Sequence, residues 1–377
     1  MRLPGRGQLE DAPGPDGVSG APEPGRATGS SPDAPRALFE IYDEGFACDT
    51  WGGVETALWS LAEGLRALGV QADFYPSSQG TDLEALAGRV ARERTDAVFP
   101  LVESALFRGD RWRRLPALHR RVVRIWHDVS HLTPDLTTPP PCPAHTPGTA
   151  PDPDAGCPAT PAHPDGPMRE VFLRDLPWTR CFPDRAYIPW AADHLPAEDL
   201  RDIRGPVVIQ LGKTPVEDAE RCLTRLLEAR LPVRAVFATW SRQGRAARDL
   251  VHERAASGDI EVFDTYDIRT DWKRVYGGAR LFVLPSVFHE TFNFAAAEAV
   301  QLGLPVATLA DCGALPGFAS LTAATVEDLM DRVVTDGASV RPRPRSRTGW
   351  DEVARHYARL ITTTGDRARH EEAACRT

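Results

Sequence analysis

The chain has 377 residues, of which 42 % are hydrophobic, and this is enough for two domains of ordinary size with packed cores. Its formal net charge of −9 argues against general nucleic-acid binding, which requires a basic surface. No run reaches the ~18 apolar residues of a membrane-spanning helix. The amino terminus has no apolar segment typical of a secretory signal, so we expect a cytoplasmic protein. The 7 cysteines, odd in number and scattered, indicate unpaired thiols.

The chain begins with a segment, residues 1–36, that is rich in proline, glycine and aspartate and has no hydrophobic periodicity. Such a segment buries too little apolar surface to order itself, and we predict a disordered leader. An alternating pattern follows, with a strand over 37–42, a helix over 54–68 and a strand over 70–75. Alternation of this kind is typical of α/β domains with a parallel sheet.

Gly52 and Gly53 stand between the first strand and the first helix. Glycine allows a ligand to approach the backbone closely and presents bare amides to an anion, so this pair is a candidate phosphate site. A tight turn without a ligand is the alternative. The dinucleotide-binding pattern G-x-G-x-x-G is absent here, which weakens the case for an NAD enzyme.

Three acidic residues, Asp43, Glu44 and Asp49, lie in the loop before the glycine pair. Carboxylates beside a nucleoside diphosphate would repel it, so these acids are better suited to a second substrate that carries positive charge. An amino- or guanidino-cyclitol is one such acceptor. The alternative is a solvated loop in a protein that is acidic overall.

Further along, the pattern predicts a helix over 83–94, a strand over 97–102, a basic helical segment over 111–120 and a strand over 121–126. His127 follows this last strand directly. The carboxyl end of a strand in a parallel sheet is where ligands usually bind, which makes His127 a candidate for contact with substrate. A structural histidine is the alternative.

Residues 133–168 interrupt the pattern with a proline-rich insert. Proline fixes the backbone and removes amide donors, so neither helix nor sheet is expected, and a long loop on the acceptor side is the preferred interpretation. The insert contains Cys142, His145, Cys157 and His163, which could hold a tetrahedral zinc ion. Their spacing does not match a familiar zinc finger, so we predict no metal.

A second alternating region follows a crossing near residue 190. It contains predicted strands over 207–211, 233–239 and 260–263 and predicted helices over 219–231 and 272–276. We expect domains over 37–195 and 196–348, a helix over 349–364 that packs back on the first domain, and a fraying tail over 365–377.

The most informative stretch is residues 281–308, LFVLPSVFHETFNFAAAEAVQLGLPVAT. It predicts a strand, a loop, a helix from Phe294 and a second strand after Gly303. The loop carries Glu290, and the second turn of the helix carries Glu298. A loop between a strand's carboxyl end and a helix's amino end is the usual ligand crevice of a parallel sheet, and the helix amides favour a phosphate there. Two solvated surface carboxylates are the alternative.

This stretch resembles the donor-binding signature of glycosyltransferase family 4, in which a proline-serine strand end precedes E-x7-E, then EA and a G-x-P turn. The glycine pair and the crossing AYIPWAAD resemble the same family. The resemblance implies that Glu290 contacts the donor sugar, Glu298 holds the nucleotide ribose, and His127 faces the donor sugar or the acceptor. Lys213 takes the place of the family's diphosphate-binding arginine. Asp218 stands where the family has a second cation, and Arg242 or Arg245 could compensate for that missing charge.

The family usually has a glycine-rich turn after the first glutamate, where this chain has Thr291, Phe292 and Asn293. We expect these bulkier residues to narrow the sugar pocket, so that the donor need not carry a common hexose. The resemblance covers most of residues 37–364.

Together these observations predict an α/β protein of two Rossmann-like, doubly wound domains facing across a cleft, the GT-B architecture. We expect a glycosyltransferase that moves a sugar from a nucleoside diphosphate sugar to a small cationic acceptor, with no cofactor. An aminocyclitol antibiotic pathway, with streptomycin-type dihydrostreptosyl transfer, is the specific hypothesis. A nucleotide-sugar epimerase or hydrolase and a non-catalytic partner subunit remain as alternatives. The oligomeric state stays open.

The predicted roles fall into three groups. We expect His127, Glu290 and Lys213 to act in catalysis, and Asp43, Glu44 and Asp49 to bind the acceptor. The predicted donor-binding residues are Gly52, Gly53, Lys213, Thr291, Phe292, Asn293, Phe294 and Glu298.

Overall fold

The structure is a computed structural model. It describes residues 33–41, 52–76, 82–101, 104, 106–107, 111–128, 169–182, 184–237, 242–256, 258–264 and 266–374. Most of the predicted leader, residues 1–32, lies outside these ranges. Within them, none of the helices combines the length and apolar character that crossing a bilayer requires.

The first half of the chain builds a parallel sheet flanked by helices. Its elements are β1 (Arg36–Ile41), α1 (Gly53–Ala67), β2 (Gln71–Pro76), α2 (Leu83–Glu93), β3 (Ala97–Phe99), β4 (Val123–Trp126), β5 (Arg169–Phe172) and β6 (Arg185–Tyr187). The strands form two parallel groups, β2-β1-β3 and β4-β5-β6. A parallel bridge between Val98 and Val122 links the groups, so the six strands follow one another across a single layer.

The second half forms a six-stranded parallel sheet in the order β12-β11-β10-β7-β8-β9. Its strands are β7 (Val207–Gln210), β8 (Val233–Val236), β9 (Ile260–Phe263), β10 (Leu281–Leu284), β11 (Val306–Leu309) and β12 (Leu321–Ala323). Its helices are α3 (Val216–Glu228), α4 (Arg242–Ala255), α5 (Ile268–Tyr276), α6 (Phe294–Gln301) and α7 (Val326–Asp336). The chain ends in α8 (Trp350–Ala374).

The central strands of the second sheet are buried and mainly apolar because helices cover both faces of this sheet. All four residues of β7 and of β10 are buried. Alternate residues of these strands pack into two separate clusters, with α3 and α7 on one face and α5 and α6 on the other. This doubly wound arrangement places the strands' carboxyl ends, and the loops that follow them, along one edge of the sheet.

The last helix, α8, packs on the first half of the molecule. Trp350, Val353, Ala354 and Tyr357 join the core built by α1 and the first sheet. The predicted helix over 349–364 is too short, because α8 continues to Ala374. Ala368 is buried, and the Arg369 guanidinium pairs with the Asp96 carboxylate, so tertiary contacts hold the helix beyond the point where its sequence suggests an end.

The predicted helix over 111–120 is also wrong. A short 3-10 turn, Arg111–Arg114, stands in its place. Pro116 lacks an amide donor and stops a helix from continuing. The sequence patterns did not predict five of the elements, namely β5, β6, β12, α4 and α7.

Candidate active site

The centre of the site is an ion pair between the loops that follow two neighbouring strands. β7 and β10 pair in parallel, so Lys213, just after β7, meets the loop after β10. Lys213 Nζ donates to Glu290 Oε1 at 2.6 Å. The Glu290 side chain is only 7 % exposed and the Lys213 side chain 18 %. The structure therefore brings together two of the three residues predicted for catalysis, in a setting where water screens their charges weakly.

The loop that carries Glu290 is held in place by the loop after β11. The Glu290 carbonyl accepts from the Ala314 amide at 2.6 Å. Gly313 has a φ of +63°, and a side chain there would collide with the Glu290 backbone. A glycine is needed at this position because it combines a left-handed backbone with close approach to another segment.

Glu298 is the second carboxylate of the site and lies in the second turn of α6. The Asn293 side chain caps this helix by accepting from the Ala296 amide at 3.0 Å. Glu298 Oε1 lies 3.1 Å from His194 Nε2, and the Glu298 side chain is 5 % exposed. The alternative of a solvated surface carboxylate is wrong for Glu298 and also for Glu290.

Glu290 and Glu298 share one property that matters for ligand binding. One oxygen of each carboxylate is taken, by Lys213 and by His194 respectively. Among the described residues, the second oxygen of each has no hydrogen-bond partner. An ionised carboxylate accepts several hydrogen bonds, so each group retains acceptor capacity that hydroxyl groups of a sugar or a ribose can use.

The first half reaches this site through His127. The Thr291 hydroxyl donates to the His127 carbonyl at 2.6 Å, so the loop after β10 is fastened to the end of β4. The His127 side chain is 4 % exposed, and its Nε2 lies 3.6 Å from Asp128 Oδ2. The structure thus places His127 beside the Glu290 loop, with an imidazole that is largely buried.

The glycine pair also meets the second half, and one of its two amides is not bare. The Gly52 amide donates to Oε2 of Glu55, in the first turn of α1, at 2.9 Å. A Cβ on Gly53 would lie 2.7 Å from the Phe294 ring. The expectation of a bare amide at Gly52 is therefore wrong in this structure, because a carboxylate of the same chain occupies it.

Phe292 and Phe294 belong to an aromatic cluster between the halves. Phe294 lies 5.6 Å from Trp190 and 6.5 Å from Trp350, measured between ring centroids. Phe292 contacts Phe294 at 5.0 Å and Phe318 at 5.3 Å. Thr291, Phe292 and Asn293 thus replace a glycine-rich turn with side chains that fasten the loop to the first half or cap α6.

Sequence reasoning missed several residues at this boundary. His289 Nε2 accepts from Trp178 Nε1 at 3.2 Å, and burial lowers the pKa of His289, opposed by Asp311. Arg174 Nη1 donates to the Ala314 carbonyl at 3.3 Å. His194 was missed as well. The positions of His289, next to Glu290, and of His194, within the crossing segment, were the available signals.

Other predicted residues are not brought to the site. Asp43, Glu44 and Asp49 lie outside the described residues, as does the whole insert over 133–168 with its two cysteines and two histidines. Asp218 is in the first turn of α3, where its carboxylate accepts from Arg221 at 2.7 Å. Arg245 is exposed in the first turn of α4, and the Arg242 side chain lies outside the described residues. Within the described ranges, no group of three or more His, Cys, Asp or Glu residues is arranged to hold a metal ion.

Comparison with known proteins gives one strong relative. The chain is 64 % identical, over 332 residues, to the UDP-GlcNAc:ribostamycin N-acetylglucosaminyltransferase of Streptomyces fradiae, and the match covers 87 % of this chain and 91 % of that protein. No protein-family profile matches the chain.

Solved structures share the fold at low sequence identity. The catalytic domain of starch synthase IV from Arabidopsis thaliana superposes with a TM-score of 0.55 at 12 % identity, covering 88 % of this chain and all of that one. The UDP-GlcNAc 2-epimerase of Methanocaldococcus jannaschii superposes with a TM-score of 0.52 at 8 % identity, covering 87 % and 99 %.

Transferases and an epimerase therefore share this architecture, so the fold alone does not decide between a glycosyltransferase and a nucleotide-sugar epimerase. The relative at 64 % identity decides in favour of a transferase. The relative at 64 % identity, together with the two doubly wound sheets, shows that the chain belongs to the glycosyltransferases of the GT-B fold.

Proposed function

We propose that this enzyme transfers N-acetylglucosamine from UDP-GlcNAc to an aminocyclitol antibiotic of the ribostamycin type. The observation that carries this proposal is the 64 % identity to a transferase of that description over 91 % of its length. The bond from the sugar's anomeric carbon to the UDP oxygen breaks, and a hydroxyl oxygen of the acceptor forms a new bond to that carbon and loses its proton. This proposal replaces dihydrostreptosyl transfer, because the relative is described with a different sugar donor.

The donor half of the reaction is assigned to the second sheet. Glu290 accepts from hydroxyls of the donor sugar, and Glu298 accepts from the ribose of UDP, since each has a carboxylate oxygen without a partner among the described residues. Lys213 and the amides at the start of α6 stabilise the negative charge that develops on the departing diphosphate. Fixed dipoles and a lysine supply this stabilisation, so we propose a reaction without a metal ion.

The acceptor half is assigned to the first sheet. An aminocyclitol carries several ammonium groups, and Asp43, Glu44 and Asp49 would attract them into the site. The imidazole of His127, beside the donor loop, faces the sugar and the acceptor in this proposal. The relative at 64 % identity is described with ribostamycin as its acceptor. An aminocyclitol of this kind carries the positive charge that Asp43, Glu44 and Asp49 would attract.

The direct test is transfer by the purified enzyme. UDP-GlcNAc and ribostamycin are incubated with the protein, and mass spectrometry follows the acceptor while a coupled assay follows UDP release. We expect the acceptor to gain one N-acetylglucosaminyl group, with no gain when UDP-glucose or dTDP-glucose replaces the donor. The variant Glu290→Gln is the matched inactive control.

Two outcomes contradict the proposal. Release of free N-acetylglucosamine at the same rate with and without ribostamycin would indicate a hydrolase. Absence of transfer to ribostamycin and to a panel of other aminocyclitols would exclude this class of acceptor.

A further inference from the structure

We propose that His194 is a positioning residue for the nucleotide. It orients the Glu298 carboxylate toward the ribose from the segment that joins the two halves of the molecule. This inference rests on the proposed role of Glu298 in accepting from ribose hydroxyls, and it adds a residue that neither the sequence motif nor the proposed function includes.

The first observation is the geometry of the pair. His194 Nε2 lies 3.1 Å from Glu298 Oε1, and the two side chains are 9 % and 5 % exposed. A buried carboxylate without a hydrogen-bond donor is costly, so the imidazole lowers the free energy of the orientation seen here. Because one oxygen is held, the other is directed by the same contact, and this is the oxygen that lacks a partner among the described residues.

The second observation concerns the other imidazole nitrogen. His194 Nδ1 is buried and has no hydrogen-bond partner among the described residues. With the proton on Nε2, the ring donates to Glu298 and leaves only a lone pair unsatisfied. With the proton on Nδ1, a buried N–H would lack an acceptor, and a lone pair would face the carboxylate. The environment therefore favours a single tautomer, with the donor pointing at Glu298.

The third observation is where His194 lies in the chain. The neighbouring residue, Asp193, accepts from the Trp350 amide at 2.9 Å. Trp350 begins α8, which returns to the first half, so both crossings of the chain between the halves meet next to His194. The His194 ring also lies 5.9 Å from the Phe294 ring in the aromatic cluster. The position of Glu298 is thus tied to the connection between the halves, and ribose binding would favour the arrangement of the halves seen here.

The test compares His194→Leu, which removes the donor, with His194→Gln, which keeps an N–H donor on a side chain of similar reach. Calorimetry measures the Kd of UDP, 2′-deoxy-UDP and 3′-deoxy-UDP for each variant. We expect His194→Leu to raise the Kd of UDP about tenfold, the loss of one hydrogen bond to a charged group. Its KM for UDP-GlcNAc rises in parallel, and its kcat stays within about threefold of the parent value.

The deoxy nucleotides distinguish positioning from simple packing. The parent enzyme should bind at least one deoxy-UDP more weakly than UDP. In His194→Leu that discrimination should shrink toward zero, and in His194→Gln it should recover. His252→Leu is the matched control, because its imidazole pairs with Asp264 at 2.8 Å on an exposed surface. It should leave all three Kd values unchanged.

The outcomes that overturn the inference are specific. Unchanged UDP binding in His194→Leu, or equal weakening of all three nucleotides, would reduce His194 to a packing residue. If His194→Leu fails to fold, His194→Ala replaces it in the comparison, and discrimination as strong as that of the parent would again reduce His194 to packing. A parent enzyme that binds no UDP would instead refute the proposed donor, and with it the premise of this inference.

Discussion

Glu40 in the first half and Glu290 in the second are both buried carboxylates, but the protein uses their oxygens differently. Glu40, on β1, accepts from the Leu101 amide at 2.8 Å through one oxygen and from the Ser104 hydroxyl at 2.6 Å through the other. Glu290 and Glu298 each have one oxygen paired and, among the described residues, one without a partner. The first arrangement holds loops together, and the second leaves an acceptor for a ligand.

Burial alone does not mark a binding carboxylate. Glu40 is 0 % exposed, and yet its acceptor capacity is used within the protein. A largely buried acid with an unused acceptor oxygen can bind a ligand's hydroxyl group without giving up an internal hydrogen bond, which makes it a better indicator of a site. The following experiments test whether this distinction predicts which acids matter for transfer and which matter for stability.

The largest effect is expected for Glu290→Gln. The amide keeps the shape of the side chain but removes the charge that pairs with Lys213 and the strong acceptor that we propose for the donor sugar. We expect kcat to fall about 100-fold or more, by analogy with the loss of one group that stabilises transition-state charge. Steady-state kinetics with UDP-GlcNAc measure it, with the midpoint of thermal unfolding as a control. A kcat within about threefold of the parent would contradict the assignment.

The next effect is the pH dependence caused by Glu170. Burial raises the pKa of Glu170 to about 7, opposed by the Arg124 charge and the hydrogen bond from Trp126. The unfolded chain ionises this group near its ordinary value of about 4.3. The contribution of protonated Glu170 to the free energy of unfolding is therefore complete below about 4.3 and is lost as the pH rises through about 7. The free energy of unfolding falls by up to about 1.4 kcal/mol per pH unit over this range.

Glu170→Gln tests this expectation because it keeps an acceptor for the Trp126 indole, which donates to Glu170 at 2.7 Å. Denaturant unfolding between about pH 5 and about pH 8 should show a falling free energy for the parent and a flatter profile for the variant. Parallel profiles would show that Glu170 does not control the slope.

Glu40→Gln should reduce stability without reducing transfer. The amide cannot accept through both of its terminal atoms, so the contacts with Leu101 and Ser104 are not both kept. We expect a loss of about 2 kcal/mol in the free energy of unfolding, the cost of breaking hydrogen bonds to a buried charged group. Under conditions where the variant is folded, kcat and KM should stay near the parent values. Lost transfer with unchanged stability would instead place Glu40 at the substrate.

The smallest effect is expected for Glu298→Gln. The neutral oxygen still accepts from a ribose hydroxyl, but less strongly than the carboxylate. We expect the Kd of UDP to rise about tenfold, equivalent to about 1.4 kcal/mol, with little change in kcat. Isothermal calorimetry measures it. An unchanged Kd of UDP would show that Glu298 does not accept a hydrogen bond from the ribose.

The sequence predicted the fold and the strand–loop–helix unit within residues 281–308 because both depend on local patterns of residue types. Apolar runs of four residues, helical periodicity and the glycine at 303 are enough to place β10, α6 and β11. The same patterns failed over 111–120, where Pro116 overrides a helix-like run, and after residue 365, where contacts with Asp96 extend α8. Strands β5 and β6 were not predicted because they are short and follow the proline-rich insert.

The position of Glu290 and Glu298 on a strand–loop–helix unit follows from the sequence, since their spacing and the residues around them are local. The partners of those carboxylates depend on the tertiary fold. His194 meets Glu298 across 104 positions of sequence, and Thr291 reaches the His127 carbonyl across 164. The contact of the Gly52 amide with Glu55 is different, because these two residues are close in the chain and meet within the first turn of α1. Partner choice depends on the distances and directions of groups after folding, and no local pattern of residue types specifies these.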